Sequence, residues 1–265
     1  MQIGLRTICT TLILAASAWA AEPTRVLQPV ESWHGDHATH HVQGLCVSDR
    51  EFWISSVDRQ QRAGFVFRVD RSTLEVTEMR RLAFGPRFHP GGMQRVGKRI
   101  WIPVAEYRPH SSTTIVALDA HTLETEQEFS LDDHIGALAA DGAGTVYAAN
   151  WDARQIYVLD EDGNVLKRVE SPTLVAYQDM EWHEGRLLAT GLASVGQRRI
   201  AVVDVIDPNT WRLDERYELK GRLRSGEGHF AREGFSLYEN DLYLLPEDGP
   251  NSTVYRFPLP AAGED

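Results

Sequence analysis

Cysteine is nearly absent from this chain: Cys9 and Cys46 are the two in 265 residues. Cys9 stands in the apolar N-terminal run, so a processed chain keeps one thiol and can close no internal disulfide. Cys46 lies between Leu45 and Val47, where a small core residue belongs. Past the N-terminus no apolar stretch approaches the ~18 residues of a membrane helix. Basic charge is short as well, with Lys and Arg numbering 27 against 38 Asp and Glu, and a formal net charge of −11. Without a basic cluster, such a chain is a poor partner for nucleic acid or an anionic membrane surface. Familiar catalytic motifs are missing too. There is no Gly-x-Ser-x-Gly, no phosphate loop and no dinucleotide fingerprint. Gly226-Glu227-Gly228-His229 reads only as a flexible connection.

What is present begins with a leader. Arg6 is the sole charge in the first twenty residues, Thr7 to Ala16 is mostly apolar, and Ala18-Trp19-Ala20 forms a small-residue cleavage pattern. This predicts a signal peptide over 1–20, cleavage near Ala20, and export to the periplasm or the medium. Residues 21–265 are then expected to form one domain.

That domain repeats a unit. His41-Val42-Gln43-Gly44 leads into Leu45-Cys46-Val47, a polar turn, and a second apolar run from Phe52 that ends at Asp58. Gly64 to Val69 alternates as a third strand, Asp70-Arg71-Ser72-Thr73-Leu74 turns, and Val76 to Leu82 makes a fourth. The same internal spacing recurs from His89 through Gly92 to Trp101, and from Glu233-Gly234 to Tyr243. Asp119 to Leu123 echoes the Asp70 turn. His134-Ile135-Gly136-Ala137 and Tyr177-Gln178-Asp179-Met180 open two more units, the second with a turn expected at Asp204 to Asn209. Five units of roughly 40–50 residues and four strands each predict an all-β, five-bladed β-propeller. The fifth unit lacks an outer strand, while Arg25–Trp33 is a strand without a unit. Pairing that segment with Ser252–Phe257 would close the ring and remove its open edge.

In a propeller the starts of first strands and the ends of second strands share one face, so equivalent positions converge at one channel mouth. The first-strand entrances carry His41, His89 and His134, with Tyr177 and Ala231 in the remaining units. Gln43, Gly91, Gly136, Asp179 and Glu233 stand beside the glycine positions. The second-strand exits carry Asp58, Glu106, Asn150, Ser194 and the pair Glu247-Asp248. Imidazole, carboxylate and amide are ligands of divalent metals. We therefore expect a site where His41, His89 and His134 hold zinc or another transition metal, with Glu233 or Asp179 as general base. Gln43, Glu106, Asn150, Glu247 and Asp248 would bind around it. A calcium site from Glu106, Asn150, Glu233 and Asp248 is the alternative. The same pattern also fits structural polar packing or a metal-free ligand site. The loop bearing His34, Asp36, His37 and His40 reads as solvated rather than ligating.

The openings His41-Val42-Gln43-Gly44, Phe88-His89-Pro90-Gly91-Gly92, Tyr177-Gln178-Asp179-Met180 and Arg232-Glu233-Gly234 carry a resemblance. So do Pro103-Val104-Ala105-Glu106-Tyr107-Arg108-Pro109 and Leu244-Leu245-Pro246-Glu247-Asp248-Gly249-Pro250. Together they resemble a family of exported bacterial propeller proteins known as a domain of unknown function, which implies fold and export but no activity. Gln43-Gly44-Leu45, with the following strand and Val69-Asp70, is more distantly similar to the plant-type glutaminyl cyclases. That resemblance implies five blades and a central metal ion. Their catalytic Glu lies in a Tyr-Glu-Ser-Thr run; here the aligned run is Trp53-Ile54-Ser55-Ser56, with Ile54 in its place. Glu233-Gly234 also looks like the calcium-binding opening of gluconolactonase-type propellers, which have six blades.

The functional expectation is a metal-assisted hydrolase or lyase at the channel mouth. A non-catalytic ligand-binding or protein-interaction scaffold is the alternative. The expected protein is a monomer whose small-molecule or protein partner the sequence does not name.

Overall fold

The computed structural model describes residues 25–35 and 39–260. The expected leader and its cleavage point lie outside the described residues, as do Asp36 and His37 of the histidine loop.

Two short strands come first, β1 (Arg25–Leu27) and β2 (Glu31–His34). Blade 1 follows as β3 (His41–Val47), β4 (Glu51–Asp58), β5 (Ala63–Asp70) and β6 (Val76–Leu82). Blade 2 splits its inner strand into β7 (Arg87–Pro90) and β8 (Gln94–Val96), then runs through β9 (Arg99–Glu106), β10 (Thr113–Asp119) and β11 (Thr125–Leu131). Blade 3 is β12 (Ile135–Ala140), β13 (Thr145–Asn150), β14 (Gln155–Asp160) and β15 (Val165–Glu170). Blade 4 is β16 (Ala176–His183), β17 (Arg186–Val195), β18 (Arg198–Asp207) and β19 (Arg212–Leu219). Blade 5 is β20 (Gly234–Tyr238), β21 (Asp241–Leu245) and β22 (Thr253–Pro258), with β2 as its outer strand. Each blade is an antiparallel meander, and five of them make a five-bladed β-propeller.

The turns between third and fourth strands explain the Asp-led repeat. Asp70 Oδ1 accepts from the N–H groups of Ser72 and Thr73, Asp119 Oδ1 from His121 and Thr122, and Asp207 Oδ1 from Asn209. Four residues on, Leu74, Leu123 and Trp211 adopt φ of 61°, 57° and 56°, and their N–H groups return to the carbonyl of the leading Asp. An Asp side chain that satisfies its own turn is why the residue recurs there. These N–H and hydroxyl donors hold the carboxyls of Asp70, Asp119 and Asp207 below the usual carboxylate range.

Apolar residues from facing blades interlock in five clusters among the described residues, one at each interface around the ring. Between blades 1 and 2, for example, Cys46, Trp53 and Val66 meet Ile100, Ile102 and Val116. Cys46 is the small buried core residue its neighbours implied. Truncating a fully buried residue such as Ile102 to Ala would cost about 2–5 kcal/mol.

Closure differs in detail from the expectation. β2 alone pairs with β22, Glu31 opposite Arg256 through His34 opposite Thr253. β1 instead runs parallel to β19 as a fifth strand of blade 4. Pro29, between them, has no N–H to donate, and the chain changes sheets there. The Asp204–Asn209 turn is also displaced. Asp204 lies inside β18, fully buried and paired with Arg216 at 2.6 Å, and the turn is at Asp207. No helix among the described residues is long and apolar enough to cross a membrane.

Candidate functional site

The inner strands approach so closely that their glycines touch. A Cβ on Gly44 would stand 2.8 Å from the Gly91 carbonyl oxygen, one on Gly91 2.2 Å from that of Gly136, and one on Gly234 2.8 Å from the Gly44 carbonyl carbon. Gly92 N–H donates to the Gly136 carbonyl at 2.8 Å, tying blade 2 to blade 3 directly. The repeated glycines are therefore a collar that closes the channel, since only a residue without Cβ permits such contact.

Blade 4 contributes Asp179 to this collar. Its side chain is fully buried and its carboxyl accepts from Met180 N–H at 2.8 Å and Phe235 N–H at 3.0 Å. Burial pushes the Asp179 carboxyl well above the carboxylate range; the Phe235 N–H opposes this and the neighbouring Glu181 adds to it. Two residues on, Glu181 is also buried, accepting from Ser236 Oγ at 2.8 Å and Leu237 N–H at 2.7 Å, and burial lifts it to about 8. Asp179 thus plugs the channel and ties blade 4 to blade 5.

At the mouth face, side chains from four blades form a cup. His41 Nδ1 lies 3.0 Å from Asp248 Oδ1 and 3.9 Å from Glu233 Oε1. Arg232 bridges the same two carboxylates, at 3.2 Å to each. Gln43 Nε2 donates to the Val42 carbonyl at 2.7 Å and reaches Glu233 Oε2 at 3.4 Å. Its Oε1 accepts from His89 Nε2 at 2.9 Å. The Tyr107 ring is centred 4.2 Å from that of His89, which lies 5.4 Å from His134. Trp151 covers His134 edge-on at 4.4 Å, and Arg59 sits over Tyr107 at 4.7 Å.

The electrostatics separate these groups. Burial lifts the Glu233 carboxyl to about 7, although His41 and Arg232 pull the other way. Burial, with the neighbouring His134, drives His89 down to about 3, so its ring is neutral. Burial also lowers His134. Burial acts to raise Asp248, but the hydrogen bond and charge of His41 prevail and hold it below its ordinary value.

Of the residues singled out in the sequence, His41, Gln43, His89, His134, Glu233 and Asp248 meet here. Asp179 does not: it lies in the plug. Glu106 is engaged by Arg108 and Ser112, both at 2.9 Å, on the loop whose Arg108 carbonyl holds His134 Nδ1. Asn150 Oδ1 accepts from Gln155 N–H and shapes a turn. Glu247 is buried, accepting from Tyr255 Oη and Ser225 N–H at 2.6 Å each. Asp58 caps its own turn through Gln60 and Gln61 N–H, and Tyr177 bonds Asp204 in an inter-blade core. Ile54 is buried between blades 1 and 5 and presents no group to the mouth.

Tyr107, Trp151 and Arg59 were not singled out, yet each directly follows a marked exit residue, Glu106, Asn150 or Asp58. Asp248 likewise follows Glu247. The signal was present one position later, where the chain has left the strand and turns across the mouth.

A metal fits this arrangement poorly. His41 and His134 each use Nδ1 on a protein partner, while His89 commits Nε2 to Gln43, and its Nδ1 is buried with no partner. No group of three or more His, Cys, Asp or Glu among the described residues could hold a metal ion. The described side chains do not gather into the zinc or the calcium set expected from the sequence.

Residues 24–174 match the family of unknown function DUF6454, and the chain belongs to that family. No curated protein matches it. Among solved structures it is similar to Myxococcus xanthus glutaminyl cyclase, with a TM-score of 0.65 and 16% identity over 89% of this chain and 97% of that one. It is also similar to a protein of unknown function from Bacteroides caccae, with a TM-score of 0.52 and 8% identity over 78% of this chain and 71% of that one. At these identities the likeness is one of fold.

Proposed function

We propose that this member of the family binds a small polar molecule in the cup and moves a proton on it through Glu233, as a hydrolase or lyase does. The supporting observation is the Glu233 carboxyl, 7% exposed and lifted to about 7 between His41, Arg232 and Gln43. A carboxyl at that value both takes and returns a proton near neutral pH. The collar beneath it forms a floor that leaves a substrate one way in. Arg59, over the Tyr107 ring, is the cation placed to meet negative charge as it develops.

Screening tag-free protein against lactone, ester, phosphoester and N-terminal glutaminyl substrates tests this reading. The last belong in the panel because the Myxococcus xanthus neighbour is a glutaminyl cyclase. Turnover of one class is expected, falling roughly 10²–10⁴-fold in Glu233→Gln. No turnover on any class, or equal turnover by the variant, overturns it.

A second reading, a binding module without turnover, is favoured by Trp151 at 40% and Leu174 at 73% exposure on the mouth face. The exposed Trp151 indole stands against His134 at the edge of the cup, where its flat apolar face suits a ligand or partner. Capture of a partner that Trp151→Ala abolishes, without turnover, supports it.

A further inference from the structure

The cup has two unlike halves. On the side of blades 5 and 1, His41, Arg232, Glu233 and Asp248 make an ionic cluster, with Arg232 3.2 Å from each carboxylate. On the side of blades 2 and 3 the groups are rings in contact. Phe88 meets Tyr107 at 6.2 Å, Tyr107 meets His89 at 4.2 Å, His89 meets His134 at 5.4 Å, and His134 meets Trp151 at 4.4 Å. Burial holds both imidazoles towards their neutral form, so the rings of this half bring no charge of their own.

The rings differ in how much of them is left open. Arg59 lies over Tyr107 at 4.7 Å and Arg62 over Phe88 at 4.8 Å. Phe88, His89 and His134 are buried. Trp151 meets His134 at an interplanar angle of 77°, and among the described residues no cation stacks on it. The largest side chain of the arc is therefore the one with ring surface to spare. An apolar group of any shape would gain by covering that surface. A second ring would gain more, through stacked or edge-to-face contact beyond the area it buries.

His89 joins the two halves. Its ring is centred 6.1 Å from Trp151, and its Nε2 bonds Gln43, which reaches Glu233 at 3.4 Å. A ring set on Trp151 thus has the Glu233 carboxyl on its polar side.

We propose that the Trp151 indole is a subsite for an aromatic ring, and that the cup takes an aryl compound whose polar group is turned towards Glu233. The proposal rests on the reading of the cup as a substrate site and names the class of that substrate.

Calorimetric titration of the full chain with benzamide and, separately, with cyclohexanecarboxamide keeps the polar group and changes the ring. Saturable binding of benzamide is expected, with the saturated ring roughly three- to tenfold weaker. Trp151→Ala should weaken benzamide by a similar factor, and Trp151→Phe, which restores a ring, should recover most of the loss. Absence of saturable benzamide binding overturns the proposal, as does equal affinity for the two amides or wild-type affinity in a folded Trp151→Ala. If Trp151→Ala does not fold, the two amides on the wild-type protein decide alone. Failure of the acid–base reading looks different. Ring-selective binding that depends on Trp151, in a protein that turns nothing over, supports the subsite while Glu233 loses its role. Turnover that depends on Glu233 without preference for the aryl amide overturns the subsite alone.

Discussion

The Asp179 carboxyl lies where a side chain on Gly92 would have to begin: a Cβ there would stand 2.1 Å from Asp179 Oδ1. Blades 2 and 4 thus meet across the channel axis, through a glycine on one side and a buried carboxyl on the other. Gly92→Ala is expected to destabilise the protein by about 1–3 kcal/mol, the range for overpacking a filled core. For a chain of this size that is a melting temperature lower by several degrees. An unchanged melting curve would show that the plug is looser than this contact requires.

The Glu233 carboxyl should govern the pH dependence of any turnover. As a general base it must be ionised, so kcat/KM is expected to rise through about pH 7, where burial has placed the group. His89, neutral down to about 3, adds no limb in that range. Glu233→Gln should remove the limb along with most of the rate. A rise centred near pH 4.5 instead would mean that Glu233 is solvated in the working protein.

Glu181 makes a prediction about stability. Its carboxyl is at about 8 in the fold against an ordinary 4.5, so between those values the native protein holds a proton that the unfolded chain has released. Stability must then fall as pH rises, by at most about 1.4 kcal/mol per pH unit for one group. His89 acts in the opposite sense: its value near 3 lies below the usual 6.5, so its contribution grows with pH and is complete above about 6.5. The net decline should therefore be clearest from pH 6.5 to 8. Chemical denaturation across that window should show it, and Glu181→Gln should lessen it, leaving the part due to Asp179 and Glu233, whose carboxyls burial also raises. A flat wild-type profile would contradict a proton held on Glu181.

The blades were legible because their signals are local. An Asp that caps its own turn and a glycine at the collar recur at fixed steps, and both follow from the backbone of one unit. Long-range pairing left no such mark. Asp204 was read as a turn residue, yet Arg216 draws it into a buried pair. Glu181 resembles a surface glutamate in sequence, and only the neighbouring blade supplies Ser236 and Leu237 to hold it. The cup was half legible. The entrance histidines were found because they align, whereas Tyr107 and Trp151 were passed over because each stands one residue past its strand, in a turn whose direction the strand pattern does not give.

The imidazoles at the mouth allow a last prediction, on metal content. His89 would have to give up Gln43 to offer Nε2, and its other nitrogen is buried. Gln43 in turn would lose the partner that helps to orient it beside Glu233. A metal must repay both losses, and the described residues gather no group of three ligating side chains to do so. Elemental analysis of tag-free protein, reconstituted with zinc or with calcium and then desalted, is expected to find well under one ion per chain. His89→Ala should leave that figure unchanged. One zinc per chain in the wild type, lost in His89→Ala and weakened as pH drops below about 6.5, would establish the three-histidine centre instead. One calcium lost in Glu233→Gln but kept in His89→Ala would establish the oxygen-ligand centre.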